Sequence, residues 1–313
     1  MRMLIYGIFG LVALIFLGIV IGIGYLLIKV FGDVGVAFIV VTIIAFLVLY
    51  GALKFVERYV LYMVKLGHVS VVVELLRTGN IPEGKGLVAY GKDKVTESFG
   101  SSNVAFVLDK MVHAAVRQIQ RLVMRIGELF SFLPGSSTII GIINAIMSIS
   151  LNYIDEAIMS YIFLRRTEQK DVNVWKEASD GVVLYAQSWK GIIKSAAISV
   201  LFIYAFNIVV FLILVFPLIL LVGFFPQEVD GMGLFLGFLA VLAALILTTV
   251  LKRALIDPVV TIIMVRSYQM NIRDQQPSMD LHNKLLGVSS RFKRLVTKAD
   301  EESVNTPPTV GQA

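Results

Sequence analysis

Residues 192–225, IIKSAAISVLFIYAFNIVVFLILVFPLILLVGFF, form a very long apolar run with Lys194 near its start and Pro217 near its end. At 1.5 Å per residue a helix of this run would measure about 50 Å, which exceeds the ~30 Å hydrocarbon core of a bilayer. The helix must therefore tilt, kink at Pro217 or begin in the cytoplasm. This stretch therefore predicts a membrane-spanning helix.

The composition of the whole chain agrees with a membrane protein. Of its 313 residues, 57% are hydrophobic and 16% are charged, with a mean hydropathy of +0.83, which is too apolar for an ordinary soluble protein. The net charge of +6 is typical of Lys- and Arg-rich cytoplasmic loops, so we expect no nucleic-acid partner. The chain has no cysteine, which excludes thiolate metal sites. It has no recognisable catalytic motif either, so we expect no cofactor, no metal and no enzymatic activity.

Three further apolar runs predict membrane-spanning helices: residues 4–30, 34–55 and 234–251. The turn between the first two carries Asp33, and the loop before the third carries Glu228 and Asp230 without a cation. Lys and Arg concentrate in the other connections, so the positive-inside rule predicts two cytoplasmic termini. The chain has no usable Asn-x-Ser/Thr sequon, which agrees with a prokaryotic inner membrane. We therefore predict an all-α polytopic integral membrane protein with four transmembrane helices.

Two GxxxG pairs lie in or beside these predicted spans, Gly18 with Gly22 and Gly233 with Gly237. Glycines at this spacing let two membrane helices approach closely. They predict contact with a second copy of the chain or with a larger membrane complex. Glycines that only face lipid account for the first pair equally well.

Residues 104–166 predict a central polar helical hairpin, broken at Leu133-Pro134-Gly135. Its first half places polar residues at four-residue steps, which share one face of a helix: Asp109, His113, Arg117, Arg121 and Arg125. Its second half repeats the spacing with another set: Asn144, Ser148, Asn152 and Glu156, with Asp155 adjacent. Folding back would let the acidic residues neutralise two of the arginines. The hairpin is either re-entrant or interfacial, or it forms two further spans.

Polar residues of the hairpin form a candidate pathway for a small solute or ion: Asp109, His113, Asn144, Asn152, Asp155 and Glu156. Ionisable residues inside membrane segments mark ion and proton routes, and His113 lies one helical turn from Asp109. Against this, Arg165 and Arg166 can mark the membrane edge near Asp155, and asparagines in spans more often join helices. The predicted function is transport or permeation, with a non-transporting scaffold or partner subunit as the alternative.

Two sets of basic residues predict contact with the anionic lipids of the inner leaflet. The first set is the arginine repeat of the hairpin: Arg117, Arg121 and Arg125. The second set lies in the tail, where residues 279–298 predict one amphipathic helix lying on the leaflet: Arg291, Lys293 and Arg294. From Ala299 onward, acidic residues and prolines predict disorder.

The remaining segments predict cytoplasmic or interfacial connections. Residues 57–77 predict an interfacial helix, within which the β-branched run 69–73 is a candidate strand. Residues 79–85, GNIPEGK, resemble a phosphate-binding loop but lack the following hydroxyl residue, so we interpret them as an ordinary turn. The predicted organisation has six segments: 1–55 transmembrane hairpin, 56–103 interfacial segment, 104–166 central hairpin, 167–191 amphipathic connection, 192–265 transmembrane hairpin and 266–313 cytoplasmic tail.

Three short motifs in the second half of the chain suggest a relationship: Asn152-Tyr153-Ile154 with Ala157, Glu177-Ala178 leading through Leu184 to Trp189-Lys190, and Asp257-Pro258-Val259. Together they resemble the carboxy-terminal part of the choline transporter-like family over less than half of the chain. The resemblance implies a helical membrane transporter. That family usually has more spans and an extracellular loop with cysteines, which this chain lacks, and no binding residue is carried over from it.

Overall fold

The computed structural model describes residues 62–82, 84–100, 102–128, 136–169, 171–224 and 232–305, together with scattered positions between 5 and 51. All regular structure in these residues is helical, which confirms the all-α prediction. The candidate strand at 69–73 was wrong, because these residues belong to a helix. Leu66 and Glu74, which flank this run on the same helix, are buried. Tertiary packing of the helix therefore overrides the weak β-propensity of the run.

The chain divides into two compact units. Unit 1 comprises Met1–Tyr62 and Leu201–Pro258, and unit 2 comprises Met63–Val200 and Val259–Ala313. Besides α1, Tyr62–Thr78, whose first residue belongs to unit 1, two helices contribute residues to both units. They are α5, Val174–Val222, and α7, Asp257–Ile272.

The first four described helices lie almost entirely in unit 2: α1 Tyr62–Thr78, α2 Leu87–Phe99, α3 Ser102–Glu128 and α4 Ser136–Glu168. Between α1 and α2, Gly79 and Gly84 have φ angles of 79° and 83°, which a side chain rarely adopts. The phosphate-loop-like stretch there forms a turn, in which Lys85 N–H donates to the Pro82 carbonyl over 3.4 Å.

The predicted central hairpin corresponds to α3 and α4, which pack against each other within unit 2. Both helices bury an apolar face there, with Leu108 and Val112 on α3 and Ile154 and Ile158 on α4 fully inaccessible. In the part of the chain that the structure describes, neither is among the helices long and apolar enough to cross a membrane.

Among the described residues, two helices are long and apolar enough to cross a membrane: the 49-residue Val174–Val222 and the 37-residue Leu236–Ile272. The second combines α6, Met232–Leu251, a π-helical turn at Lys252–Ile256, and α7. The predicted spans 4–30 and 34–55 lie mostly outside the described residues. Within unit 1, a Cβ at Gly10 would lie 2.7 Å from Val250 Cγ1, so this glycine permits close packing against α6.

The tail prediction was wrong in two respects. The single helix expected at 279–298 is two helices, α8 Met279–Val288 and α9 Ser290–Asn305. They separate at Ser289, whose hydroxyl accepts the Phe292 N–H over 3.1 Å and so caps α9. The disorder expected from Ala299 is instead helix as far as Asn305, while residues 306–313 lie outside the described range.

The apolar face of α9 explains why the helix is ordered. Phe292 and Leu295 are fully buried and Ala299 nearly so, and α9 packs against α3. At the helix start, the Gln118 side chain accepts hydrogen bonds from the Ser289 hydroxyl (3.0 Å) and the Arg291 N–H (3.1 Å). The face that we expected to rest on lipid is therefore part of the core of unit 2.

Candidate functional site

Unit 2 contains a buried cluster of ionisable side chains contributed by four helices, which we call the polar cluster. Its members are Lys65 from α1, Asp109, Lys110 and His113 from α3, Asp155 and Glu156 from α4, and Thr261 from α7. The four-residue spacing of Asp109 and His113 places both on one face of α3. The sequence neighbours Asp155 and Glu156 both reach Lys65, which lies between them.

The contacts of the cluster centre on Lys65. Its Nζ lies 2.8 Å from Glu156 Oε1 and 3.7 Å from Asp155 Oδ2. The other oxygen of Glu156 accepts the Thr261 hydroxyl at 2.6 Å. Asp155 Oδ2 also lies 3.5 Å from His113 Nδ1, and its Oδ1 accepts the Glu156 N–H at 2.9 Å. Each oxygen of the two neighbouring carboxylates therefore has a partner within the protein.

The three carboxylates are removed from solvent to an unusual degree. Asp109, Asp155 and Glu156 are 3%, 4% and 3% exposed. The Lys65 and His113 side chains are 27% and 28% exposed, so their side of the cluster is the more accessible one. Buried carboxylates need partners because an ion without one loses its hydration and gains nothing in return.

Opposite charges set the protonation of the central pair. Burial alone would lower the pKa of Lys65, but Asp155, Glu156 and Asp109 together hold that pKa well above its ordinary value. Burial likewise favours a high pKa for Asp155, yet Lys65 and the contact with His113 bring its pKa below the ordinary value. The central lysine and Asp155 are therefore both charged at neutral pH.

Asp109 behaves differently from Asp155. Burial raises the pKa of Asp109 to about 6, and the negative charge of Asp155 contributes to the rise, while Lys65 and Lys110 oppose it. Lys110 Nζ lies 3.3 Å from Asp109 Oδ2 but is itself half exposed, which weakens its effect. Three carboxyl groups thus face two lysines, and of the two aspartates Asp109 takes up a proton more readily than Asp155.

The structure brings together four of the six residues in the predicted pathway: Asp109, His113, Asp155 and Glu156. Asn144 and Asn152 lie on α4, but their side chains are outside the described part of the structure. Among the described side chains, no group of acidic or histidine residues is arranged to hold a metal ion.

The sequence left open that Asp155 and Glu156 neutralise two hairpin arginines if the hairpin spans the membrane twice, and among the described side chains no such pair forms. Asp155 and Glu156 pair with Lys65, which lies outside the hairpin, whereas Arg117 and Arg121 are exposed on α3. The Arg125 side chain is not described. The tail residues Arg291, Lys293 and Arg294 are also exposed, on α9, and their contact with lipid stays a prediction.

Three residues of the cluster were not predicted from the sequence: Lys65, Lys110 and Thr261. Lys65 carried a usable signal, because it is a lone cation among the apolar residues that begin α1. A lysine in such a run needs a carboxylate partner when it is buried. Thr261 carried none, since a threonine in an apolar helix often bonds only to its own backbone.

A second candidate site is an open cleft of about 1330 Å³ in unit 2, bordered by α1, α4, α5, α7, α8 and α9. Its inner wall holds a set of ion pairs: Arg165 with Glu177 (3.1 Å), Arg165 with Glu168 (3.0 Å) and Lys176 with Asp180 (2.7 Å). The wall also carries two exposed arginines, Arg266 on α7 and Arg273 in the turn that follows it. Neither arginine was predicted from the sequence as a site residue.

Comparison with known proteins assigns no relationship: no family model, no curated protein and no solved structure matches the chain. The resemblance of its second half to the choline transporter-like family therefore stays a prediction. Two residues of the motifs that suggested it, Tyr153 and Ala178, belong to the buried core of unit 2, where packing alone accounts for them.

Proposed function

We propose that this chain is a polytopic protein of a prokaryotic inner membrane in which unit 1 spans the bilayer and unit 2 is a cytoplasmic helical domain. In this proposal unit 2 serves as a non-transporting scaffold that binds partner proteins. About 20 helical residues cross a bilayer, so α5 is far too long to lie entirely within one. Its residues from Leu201 onward would form the span, and its earlier residues would belong to the cytoplasmic domain.

The exposure pattern of unit 1 supports the membrane assignment. Large apolar side chains cover the outside of α5 beyond Val200, among them Leu201, Ile213 and Phe216. Exposed apolar surface of this extent is unfavourable in water but suits lipid. The excess of Lys and Arg outside the apolar runs supports the cytoplasmic side for unit 2 and for both termini.

The observation that carries the scaffold assignment is the closed state of the polar cluster. A route for ions or solutes needs polar groups that face water, whereas Asp155 and Glu156 are buried and have protein partners at every oxygen. A cluster whose charged groups pair with one another fixes the packing of α1, α3, α4 and α7. The transport alternative requires this cluster to open to water.

Labelling experiments can separate the two functions because the natural chain has no cysteine. We expect Thr261→Cys, in the cluster, to react with a charged, water-soluble thiol reagent as slowly as Ser160→Cys in the core; both native residues are fully buried. Arg117→Cys, on the exposed face of α3, is the control for rapid reaction. Rapid labelling of Thr261→Cys alone would show a water-filled cluster and would support transport.

A flux measurement on the unmodified chain complements the labelling. Vesicles containing the protein and loaded with a pH-sensitive dye should conduct protons no faster than vesicles without protein. Conduction that disappears in Glu156→Gln would contradict the scaffold proposal, since this substitution removes a charge of the cluster with little change in shape.

A further inference from the structure

One outward face of α5 carries two exposed lysines, Lys190 and Lys194, just before its exposed apolar surface begins. Residues four apart share one face of a helix, and the same step leads from Lys194 to the exposed Ile198. Leu201, also exposed, lies two helical turns beyond Lys194 and therefore shares this face. The face thus changes from cationic to apolar within a short length of helix.

The opposite face of α5 is buried and holds the helix in place. Ile192 and Ala196 are inaccessible to solvent, and a Cβ at Gly191 would collide with the Asn271 side chain of α7. The Ser188 hydroxyl donates to the Asn271 carbonyl over 3.4 Å. Because this packing fixes the rotation of α5, the two lysines stay on its outer surface.

The charges of these two lysines are not met within the protein. Neither side chain has an ion pair or a hydrogen bond with a residue that the structure describes. After Asp180, which pairs with Lys176, α5 carries no carboxylate. Eight other described lysines, by contrast, form ion pairs with carboxylates: Lys65, Lys85, Lys94, Lys110, Lys176, Lys252, Lys284 and Lys298. Two ammonium groups on one face of α5 are therefore available to an external anion.

Distances along the helix place the lysines at the surface of a bilayer. Lys194 lies about 6 Å before Ile198, where the exposed apolar surface of this face begins, and about 10 Å before Leu201. The polar layer on each side of the hydrocarbon core is roughly 5–7 Å thick. The long, flexible side chain of Lys194 reaches the phosphates of that layer, whereas Lys190 lies one turn farther from the bilayer.

We propose that Lys194 and Lys190 bind the headgroup of an anionic phospholipid where α5 enters the membrane. The ammonium group of Lys194 contacts the phosphate, and that of Lys190 adds attraction from one turn farther out. A headgroup with net negative charge suits the site better than a zwitterionic one, whose own cation the two lysines repel. The inference rests on the proposed membrane span of α5 and adds a lipid site to it.

Fluorescence quenching by spin-labelled lipids tests the inference on the full chain. The natural chain has no cysteine, so Leu201→Cys carries a single fluorophore on the same face of α5. The vesicles are phosphatidylcholine with a small fraction of either phosphatidylglycerol or phosphatidylcholine that bears a nitroxide on its acyl chain. At about 0.5 M salt, where diffuse attraction is screened within about 4 Å, we expect labelled phosphatidylglycerol to quench roughly twofold more strongly than labelled phosphatidylcholine.

Single substitutions assign this preference to individual lysines. Lys194→Gln should abolish it, Lys190→Gln should reduce it by about half because this lysine lies farther out, and Lys194→Arg should retain it because the charge is kept. The matched control is Lys92→Gln, which removes an exposed lysine of α2 and should leave the preference unchanged. Circular dichroism of each variant confirms that the helices are intact.

The possible outcomes separate this inference from the proposed function. Equal quenching by the two lipids, a preference that survives Lys194→Gln, or an equal loss in Lys92→Gln would overturn the lipid site and leave the span of α5 in place. No quenching by either lipid would place Leu201 outside the bilayer and would overturn the membrane assignment of unit 1 together with the lipid site. The scaffold role of unit 2 is tested separately, by the labelling of Thr261→Cys.

Discussion

The two units use the same apolar residue types in opposite ways. In unit 1, Ile213 and Phe216 of α5 are 64% and 68% exposed, whereas Val182 and Val183, earlier on the same helix, are fully buried in unit 2. Unit 2 in addition buries charge, while the described part of α5 in unit 1 carries none. One apolar run in the sequence thus continues from a protein core to a surface suited to lipid, and hydropathy alone does not mark where the change occurs.

The largest expected effect concerns the buried charge of unit 2. Asp155→Ala removes a partner of Lys65 and His113 and should lower the free energy of unfolding by about 3–5 kcal/mol, because the remaining charges lose compensation. Chemical denaturation in detergent, followed by circular dichroism, measures it.

The matched control for this variant is Asp280→Ala. Asp280 forms an ion pair with Lys284, but its side chain is 77% exposed, so its loss should change stability by less than about 1 kcal/mol. Equal losses in the two variants would mean that Asp155 is solvated, and the contrast between buried and surface charge would fail.

A pH series examines the same cluster through Asp109. The pKa of Asp109 is about 6 in the folded protein, against an ordinary value of 3.8. The folded state therefore binds the proton more tightly than the unfolded state does. Proton binding at Asp109 stabilises the fold at low pH, and this stabilisation is lost as the pH rises through about 6. Asp109→Asn resembles the protonated acid at every pH. As the pH rises from 4 to 7, the free energy of unfolding of this variant should therefore increase relative to that of the unmodified chain by up to about 2–3 kcal/mol.

Unfolding of both proteins at several pH values measures this difference. A stability difference that stays constant between pH 4 and 7 would show that the pKa of Asp109 is not raised in the folded state.

Glycine substitutions give a smaller effect that depends on packing. A Cβ at Gly91 would lie 2.8 Å from the Gly67 carbonyl oxygen, where α1 and α2 meet, so Gly91→Ala should destabilise unit 2 by about 1–3 kcal/mol. Gly287 on α8 has open space around it. Gly287→Ala should instead stabilise by about 0.5–1 kcal/mol, because alanine favours a helix. Melting temperatures that shift in the same direction in the two variants would contradict the close contact between α1 and α2.

The smallest expected effect is contact between the basic surface of α9 and anionic lipid. Arg291, Lys293 and Arg294 are exposed, and each contributes about 1 kcal/mol near an anionic surface at low salt. A spin label at Val304→Cys should therefore be less accessible to a water-soluble nickel complex in anionic than in neutral bilayers. High salt should abolish the difference, and equal accessibility in both lipids would exclude the contact.

Helical spacing predicted a large part of the site. The four-residue steps of Asp109 and His113, and the position of Asp155 and Glu156 on the facing helix, were enough to anticipate that these side chains meet. The sequence indicated that Lys65 would need a carboxylate partner if it were buried, but it did not single out Lys65 as the partner of Asp155 and Glu156, because the hairpin arginines were also available. Only the packing of α1 against α3 and α4 selects Lys65.

The tail shows a second limit of sequence patterns. The apolar face of residues 279–298 was recognised, with Phe292 and Leu295 on it, but the pattern is the same whether the face meets lipid or protein. In the structure that face packs against α3. The deciding feature is the complementary surface of α3, which lies more than 160 residues away in the sequence.

The contrast between the two units is tested most directly by spin labels at two exposed aliphatic positions in lipid vesicles. Ile213 in unit 1 and Val88 in unit 2 are 64% and 55% exposed, and both lie on helices. We expect the label at Ile213→Cys to collide mainly with oxygen, which concentrates in lipid, and the label at Val88→Cys to collide mainly with a water-soluble nickel complex. Nickel accessibility at Ile213, or lipid-like behaviour at Val88, would contradict the assignment of unit 1 to the bilayer and unit 2 to water.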